Sequence, residues 1–265
     1  MSKVNKYENQ IVNYYNNYEE DTRFINKGKR LEYITTMHYI KKFAKKGCKI
    51  LEVGAGTGAY SVELAKMGYN VTAVELVENN VKIMKKNAKG LKNINCLQGD
   101  ALDLSRFNDN EFDIVLNLGP MYHLYNNKDR QRAISETLRV CKPNGISMFA
   151  YLTHSSIFWS FGIIKKQIKY LSEFMTSKGV IKDIPEEIFC SYFNEDFNKQ
   201  FDKTKSTHIT SVATDGLAQI MREYMNREDF TEEEYELFVK WHLATCERLD
   251  HQGLSSHMLY ICKKD

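Results

Sequence analysis

The segment Ile50–Ser61, with the sequence ILEVGAGTGAYS, constrains the fold of this 265-residue chain more than any other part. It predicts a short buried strand, a tight glycine-rich turn and the first turn of a helix. A second apolar strand, NVTAVE, should end at Glu75, about twenty residues after the glycines. This spacing is typical of a parallel sheet whose carboxyl edge binds an adenosine-containing ligand.

Apolar strands alternate with amphipathic helices between Lys49 and Thr153. The strand-like segments are KILEVG, NVTAVE, NINCLQGD, DIVLNLG and ISMFAYLT, and we expect helices near 59–67, 78–88 and 128–141. This alternation predicts right-handed βαβ units and a parallel sheet that is covered on both faces. The sequence Cys141–Gly145 predicts a turn before the fifth strand.

The segments outside this core have a different pattern. Residues 7–45 are predicted to be helical, and so are 156–177, 185–204, 215–226 and 231–249. We therefore predict a single domain with a helical cap at 1–47, a ligand-binding core at 48–153, helical lid insertions at 154–205 and 214–250, and closing strands at 206–213 and 257–263.

Composition limits the classes of partner and the cellular location. The net charge is only +3, so the chain carries no strong excess of positive charge for a nucleic acid. Six scattered cysteines without a CxxC pair favour a reduced cytoplasmic protein. The chain has no apolar run of membrane-spanning length, and its first residues do not resemble a secretory signal, so we expect no membrane partner.

The glycine loop itself is compatible with two ligand classes. Gly54, Gly56 and Gly58 allow a ligand close to the main chain, and the following helix presents its free N–H groups to an anion. The spacing Gly54-x-Gly56-x-x-Ala59 also fits the dinucleotide fingerprint. A P-loop is excluded because no GK[ST] sequence follows.

Three features distinguish between these ligand classes, and the first of them, Glu52, favours a ligand with a cationic amino-acid tail. Glu52, which precedes the first glycine, would accept from an ammonium or a ribose hydroxyl and would repel a pyrophosphate. After the third strand, Asp100 offers a carboxylate to an adenine amino group. The sequence Asn117–Pro120 ends the fourth strand, where a reacting group would meet the ligand.

At these motifs the chain resembles the class I S-adenosylmethionine-dependent methyltransferases, in the group related to the ubiquinone and menaquinone methyltransferases. The resemblance covers roughly residues 48–153 and implies a Rossmann-like, seven-stranded, mostly parallel sheet with an antiparallel last strand and helices on both faces. It also implies S-adenosylmethionine as cofactor and S-adenosylhomocysteine as product.

The resemblance assigns parts of the cofactor to particular positions. The glycines would line its methionine part, Glu52 would lie near its amino group, Glu75 would bind the ribose hydroxyls, and Asp100 would meet the adenine edge. The complete predicted cofactor set is Tyr14, Glu52, Gly54, Ala55, Gly56, Thr57, Gly58, Glu75, Leu76, Gly99, Asp100, Ala101, Asn117, Leu118 and Gly119.

Candidate catalytic groups come from aromatic and basic residues near the same edge. Aromatic faces favour a cationic methyl donor, which makes Tyr14, Tyr15, Tyr18 and Tyr122 candidates. His123 follows Tyr122 and is a candidate general base. Core or surface packing remains an open alternative for each aromatic residue, and orientation of the backbone remains one for His123.

Candidate substrate contacts lie in the second lid insertion. They are Arg222, His242, Glu247 and Arg248, and Arg23 or Arg30 are additional candidates for anion binding. His242 and Cys246 share a helix face, but no second compact ligand pair follows, so we predict no metal. The sequence around Asn117 also lacks the double proline of the DNA amino-methylating enzymes.

The predicted function is transfer of a methyl group from S-adenosylmethionine to a small molecule, by a monomer or a homodimer. One alternative is an NAD-dependent oxidoreductase, which the dinucleotide-like spacing supports. Another is a noncatalytic S-adenosylmethionine-binding module that regulates a partner. Methylation of a nucleic acid is a weaker possibility, which salt-sensitive binding to RNA or DNA would reveal.

Overall fold

The computed structural model of the protein describes residues 3–17, 23–182, 184 and 188–265. The strands are β1 Lys49–Val53, β2 Asn70–Glu75, β3 Ile94–Gln98, β4 Phe112–Asn117, β5 Cys141–Leu152, β6 Ser206–Ala213 and β7 His257–Lys264. The longer helices are α1 Lys3–Asn17, α2 Lys27–Phe43, α3 Ala59–Lys66, α4 Glu78–Asn87, α5 Asn127–Val140 and α10 Glu232–Thr245. The shorter ones are α6 His154–Ser156, α7 Ile168–Ser172, α8 Asn194–Asn198, α9 Arg222–Met225 and α11 Leu249–Gln252.

The seven strands form one sheet in the order β3-β2-β1-β4-β5-β7-β6. The pairs among β1 to β5 are parallel, and β7 runs antiparallel to both of its neighbours. The chain order reverses between β2-β1 and β4, which places a crevice at the carboxyl ends of these strands. The predicted Rossmann-like, mostly parallel sheet with an antiparallel last strand is therefore confirmed.

The central strands are apolar because both of their faces are covered. In β1, only Lys49 is exposed, and Ile50, Leu51 and Val53 are buried in the main core. Val53 pairs with Val74 of β2 and with Asn117 of β4. This register brings the ends of the three strands to one edge, so that the residues which follow them in the chain meet above the sheet.

Several helix ends have a clear local cause. The side chains of Asn26 and Asn126 accept hydrogen bonds from main-chain N–H groups in the first turns of α2 and α5. Thr231 and Glu234 form a capping box at the start of α10, and this cap explains the acidic block Glu232–Glu234 without a functional role.

The lid departs most from the predicted elements. The predicted helix at 156–177 consists of a short π-helix, Ile157–Ile164, followed by α7, and the described part of 185–204 contains only α8 and a 3₁₀ turn, Lys199–Phe201. Residues 215–226 contain only the four-residue α9. These segments carry apolar residues at the spacing of a helix, but the chain bends between them and divides them among short turns.

The strand β5 begins at Cys141, so the predicted turn lies within its first residues, where Asn144 has a φ of 62°.

Candidate active site

A cavity of about 120 Å³ lies at the carboxyl edge of β1, β2 and β4. Its walls come from the glycine loop, the ends of β2 and β4, and the cap helices. The lining residues are Ile11, Tyr15, Arg23, Phe24, Glu32, Glu52, Gly54, Ala55, Gly56, Thr57, Ala59, Tyr60, Glu75, Leu76, Asn80, Gly99, Asp100, Ala101, Leu118, Gly119, Pro120, Tyr122, His123 and Leu124. We call it the donor cavity.

The glycine loop is shaped by contact with the loop after β4. Gly54 has a φ of 77°, and a Cβ atom at this position would lie 2.6 Å from Cδ of Pro120. The main-chain N–H of Gly54 donates to the carbonyl of Val74 at 2.8 Å. A side chain at Gly54 would therefore be strained and would separate two loops that jointly form the cavity floor.

Glu75 ties the glycine loop to the end of β2. Its Oε2 accepts from the main-chain N–H of Gly56 at 2.8 Å, and its Oε1 accepts from that of Val77 at 2.9 Å. The side chain is buried but lines the donor cavity. Because each carboxylate oxygen has two acceptor sites, the group can accept further bonds from a ligand's hydroxyls.

Glu52 is a buried carboxyl without a cationic partner among the described residues that line the cavity with it. The Ser61 hydroxyl donates to its Oε2. Burial raises the pKa of Glu52 to about 8 and outweighs the hydrogen bonds from Ser61, which lower it; a smaller effect of Glu75 also raises it. A cation placed in this cavity would favour the ionised form of Glu52.

The predicted cofactor residues are mostly, but not all, brought together. Leu76, Gly99, Asp100, Ala101, Leu118 and Gly119 join the glycine loop and the two glutamates around the donor cavity. Asp100 also accepts from the main-chain N–H of Leu102 at 2.9 Å, so its side chain stabilises the turn after β3 as well.

Three members of the predicted set do not line the donor cavity. Gly58, with a φ of 88°, is the N-cap of α3, and a Cβ atom there would lie 2.8 Å from Cγ of Met84. Asn117 is fully buried below the cavity and donates to the Thr137 hydroxyl at 3.1 Å. Tyr14 contacts Phe189 and lies on a second, adjoining cavity.

The predicted base, His123, has both ring nitrogens in hydrogen bonds. Its Nδ1 lies 2.8 Å from the carbonyl oxygen of Ile188, which can only accept, so Nδ1 carries the proton. The hydroxyl of Tyr15 lies 3.0 Å from Nε2 and therefore donates to it. Burial lowers the pKa of His123 to about 4, which leaves a neutral ring of low basicity.

The second cavity has a volume of about 550 Å³ and shares Tyr15, Arg23, Glu32 and Tyr122 with the donor cavity. We call it the acceptor cavity. Its other lining residues are Tyr14, Lys29, Leu152, Ser156, Ile157, Ser160, Phe161, Ile164, Lys165, Ile181, Lys182, Ile184, Phe189, Cys190, Ser191, Gln219, Arg222 and His257. Most of them belong to the lid and the cap.

The two cavities carry opposite charge. Around the donor cavity, the ionisable groups apart from the tyrosines and His123 are Arg23, Glu32, Glu52, Glu75 and Asp100. Around the acceptor cavity, the ionisable groups other than the tyrosines, Cys190 and His257 are mostly cations. They are Arg23, Lys29, Glu32, Lys165, Lys182 and Arg222. The shared residues Arg23 and Glu32 form an ion pair of 2.6 Å at the boundary. The donor side therefore favours a cation, and the acceptor side favours an anion.

The predicted substrate contacts are dispersed. Arg222 lines the acceptor cavity, whereas Glu247 accepts from Tyr39 at 2.6 Å and Arg248 pairs with Asp250 at 3.2 Å, both away from the cavities. His242 is buried against Gly216. Arg23 lines both cavities, but Arg30 pairs with Glu232 at 2.6 Å. Tyr18 lies outside the described residues.

Sequence reasoning missed several residues of the site. Tyr60 lies inside the glycine motif and stacks on Tyr33 with ring centroids 5.1 Å apart, so its neighbours in sequence could have revealed it. Glu32 and His257 are brought to the cavity walls by α2 and β7, which are distant in sequence from the motif. Nothing in their local sequence marks them.

The described residues contain neither a candidate metal centre nor a membrane-spanning helix. In the ranges 3–17, 23–182, 184 and 188–265, no three His, Cys, Asp or Glu side chains are grouped to hold a metal ion. Within the same ranges, none of the helices combines the length and apolarity that crossing a membrane requires.

Comparison with known proteins identifies the class of this core. Residues 51–149 match the family model of the methyltransferase domain. This segment contains the glycine loop and the ends of β2 and β4 that form the donor cavity. Residues 51–149 are therefore a methyltransferase domain by this match, which agrees with the resemblance inferred from the motifs.

Two relatives match part of the chain. Over 107 residues, the chain is 38% identical to a demethylmenaquinone methyltransferase from Staphylococcus carnosus, covering 39% of this chain and 43% of that protein. It is 32% identical over 139 residues to a ubiquinone biosynthesis O-methyltransferase from Rickettsia akari, covering 51% and 53%. The chain thus spans about half the length of the relatives it matches.

Solved structures share the fold over most of the chain. An S-adenosylmethionine-dependent methyltransferase from Methanosarcina mazei aligns with a TM-score of 0.55 at 17% identity, covering 85% of this chain and 96% of its own. The [4+2]-cyclase SpnF aligns with a TM-score of 0.56 at 17% identity, covering 88% and 81%. The second example shows that a protein with a different named activity can share this architecture.

Proposed function

We propose that this protein transfers a methyl group from S-adenosylmethionine to a small-molecule acceptor and releases S-adenosylhomocysteine. The observation that carries the proposal is the acidic donor cavity at the carboxyl edge of the parallel strands, which shares a wall with a larger basic cavity. A sulfonium nucleoside has a cationic centre that suits the first cavity. Its methyl group could face an acceptor in the second.

The donor would extend from β1 to the loop after β3. Its ammonium would lie near Glu52, and the ribose hydroxyls would donate to Glu75. The adenine would lie between Leu76 and Ala101, with its amino group near Asp100. Arg23 at the boundary would face the methionine carboxylate. Two observations support this placement. These residues line the same cavity, and Glu52 is buried there without a cationic partner among the described residues of its lining.

The acceptor would be an aromatic or apolar molecule that carries a negative charge. The acceptor cavity combines Phe161, Phe189 and several isoleucines with the cations Arg222, Lys29 and Lys182. The names of the two relatives refer to demethylmenaquinone and to O-methylation in ubiquinone biosynthesis, which favours a quinone-related acceptor that is methylated on oxygen. Much of the acceleration would come from positioning and exclusion of water.

A nicotinamide dinucleotide fits the donor cavity poorly on electrostatic grounds. Glu52, Glu75 and Glu32 would face its two phosphate charges, and among the described residues that line this cavity Arg23 is the one arginine or lysine. Burying two phosphate charges beside these carboxylates would be unfavourable unless the acids were protonated. We therefore prefer the sulfonium cofactor, in a protein whose six free cysteines suit the cytoplasm.

The experiment is a labelled methyl transfer. The protein is incubated with S-adenosyl[methyl-¹⁴C]methionine and the small-molecule fraction of a cell extract, and labelled products are identified by mass spectrometry. We expect one labelled aromatic anion and an equal amount of S-adenosylhomocysteine. Binding of S-adenosylhomocysteine without any labelled product would instead indicate the noncatalytic binding module.

A further inference from the structure

His257 lies on the wall of the acceptor cavity, close to the boundary with the donor cavity. It is the first residue of β7, and its side chain lines the acceptor cavity. Nδ1 of His257 lies 3.8 Å from Oε2 of Glu32, and Glu32 lines both cavities. The imidazole is therefore placed near the point at which a methyl group would pass from donor to acceptor.

A buried carboxylate fixes the orientation of this ring. Nδ1 of His257 lies 2.8 Å from Oδ2 of Asp215, whose side chain is 2% exposed. The other oxygen, Oδ1, accepts from the Ser255 hydroxyl at 2.7 Å and from the main-chain N–H groups of Ser256 at 2.8 Å and His257 at 3.0 Å. Because both oxygens are engaged, Asp215 stays ionised and holds the proton of His257 on Nδ1.

The second ring nitrogen is the one available to a ligand. Since Nδ1 is directed at Asp215, Nε2 is on the opposite edge of the ring. Within the part of the chain that the structure describes, no protein group forms a hydrogen bond with Nε2 of His257. In His123, by contrast, Nε2 already accepts from Tyr15. The two histidines therefore differ in their capacity to take a proton.

We propose that His257, oriented by Asp215, is the general base that deprotonates the methyl acceptor, and that the acceptor carries an acidic aromatic hydroxyl. This inference rests on the proposed function and names the chemistry of its second cavity. An imidazole whose Nδ1–H bonds to a buried carboxylate is a favourable proton acceptor at Nε2, because the carboxylate stabilises the imidazolium that forms.

The hydroxyl proton moves to Nε2 of His257 while the oxygen lone pair forms a bond to the methyl carbon of S-adenosylmethionine. The carbon–sulfur bond breaks, and its electron pair stays on sulfur, which becomes the neutral thioether of S-adenosylhomocysteine. The imidazolium, paired with Asp215, then releases the proton to solvent.

Charged groups on several elements act on His257. Burial lowers its pKa, but Glu32 from α2 and Asp215 from the loop after β6 outweigh this effect and hold the pKa above 6.5, against a smaller opposing effect of Arg23. Lys29 and Arg222 line the same cavity and favour an anionic acceptor. The base is the neutral ring, so we expect the methyl transfer rate to rise with pH through this pKa.

The test uses 4-nitrocatechol as a probe, because the visible absorption of its phenolate reports ionisation directly. The probe is added to the wild-type protein saturated with S-adenosylhomocysteine, and its absorption is measured against pH. We expect the pKa of the bound hydroxyl to fall by about one unit, since a proton taken by His257 leaves an adjacent cation. Its pKa should rise towards that of the free probe in His257→Gln, in which the cations Lys29 and Arg222 remain.

Two further variants make the result specific. Asp215→Asn keeps an acceptor oxygen for the neighbouring main-chain N–H groups but removes the charge, so we expect an intermediate pKa. His208→Gln is the matched control, because His208 lies in the adjacent strand, bonds to Ser211 at 3.0 Å and lines neither cavity. It should behave like the wild type.

Binding of S-adenosylhomocysteine to every variant, measured by calorimetry, separates the two proposals. If the wild type binds neither S-adenosylhomocysteine nor S-adenosylmethionine, the proposed function fails. If S-adenosylhomocysteine binds normally, the base assignment is overturned when 4-nitrocatechol remains un-ionised, fails to bind, or ionises equally in the wild type and in His257→Gln.

Discussion

The donor and acceptor cavities adjoin each other but are built from different kinds of structure. The donor cavity is formed at the ends of β1, β2 and β4, where main-chain geometry and strand register fix the positions of the glycine loop and Glu75. The acceptor cavity is formed by the cap, the lid and the start of β7. A short sequence motif can therefore predict the residues of the first cavity, whereas the residues of the second come from segments that no single motif contains.

The two cavities also differ in whether their ionisable side chains already have a partner of opposite charge. Glu52 in the donor cavity is buried with a pKa of about 8, so its ionised form needs a cation. The His257 ring in the acceptor cavity already has its carboxylate partner, Asp215. We therefore propose that Glu52 gains a charge partner when the donor binds, whereas His257 exchanges a proton with the acceptor.

The largest effect should come from removing the charge at the end of β2. We expect Glu75→Gln to weaken S-adenosylhomocysteine binding at least about 100-fold, because bonds to the ribose and support of the glycine loop are both lost. Isothermal calorimetry at pH 7.5 measures the change. Glu78→Gln is the control, since Glu78 is exposed and pairs with Lys82 at 2.8 Å; equal losses in both variants would argue against a donor site at Glu75.

The next effect concerns the pH dependence of cofactor binding. In the empty protein, Glu52 is mostly protonated below its pKa of about 8. An ammonium in the donor cavity favours the carboxylate, so binding releases a proton, and the Kd for S-adenosylhomocysteine should fall about tenfold per pH unit between pH 6 and 7. Glu52→Gln should flatten this dependence. An equally steep dependence in the variant would place the titrating group elsewhere.

A smaller effect should distinguish the acceptor cavity from the donor cavity. We expect Arg222→Gln to weaken binding of 3,4-dihydroxybenzoate about fivefold while leaving that of neutral catechol unchanged, because the cation favours an anionic ligand. Competition with 4-nitrocatechol measures both affinities. Arg227→Gln is matched to it, since Arg227 pairs with Asp229 on the surface. A basic acceptor cavity is contradicted if catechol and 3,4-dihydroxybenzoate lose affinity equally.

The smallest effect concerns stability on the acid side. The pKa of His123 is about 4 in the folded protein and near 6.5 when unfolded, so the unfolded state binds more protons between these values. The resulting stability is fully present above pH 6.5 and is lost as the pH falls towards 4. We expect His123→Gln to remove up to about 1 kcal/mol of the change in unfolding free energy between pH 7 and pH 6. Urea denaturation at both pH values measures this change. If the wild type and His123→Gln lose the same unfolding free energy between pH 7 and pH 6, His123 is already protonated in the folded protein.

The sequence predicts the core well because its signals are local. Strand periodicity, the glycines and Glu75 lie within one βαβ unit, and the register of parallel strands brings their ends to one edge. The assignment of Glu52 to the donor cavity follows from its position at a strand end. The roles of these residues in binding remain predictions that the variants above test.

The lid could not be predicted to the same depth, because its contacts join distant segments. Tyr39 donates to Glu247 across 208 positions, and Asp215 meets His257 across 42 positions. Apolar spacing at 215–226 predicted a helix, but most of that segment forms turns around buried Asp215. Glu247 and Arg248 had suitable chemistry for a substrate, yet their partners are Tyr39 and Asp250. Residue type without tertiary context cannot distinguish these cases.

The most direct test is a calorimetric titration of the purified protein with S-adenosylhomocysteine and, in parallel, with NADH. Occupancy of the acidic donor cavity by a sulfonium nucleoside predicts saturable binding of one S-adenosylhomocysteine per chain, with release of a proton at pH 7 and no heat from NADH. Tight binding of NADH with no response to S-adenosylhomocysteine would contradict it.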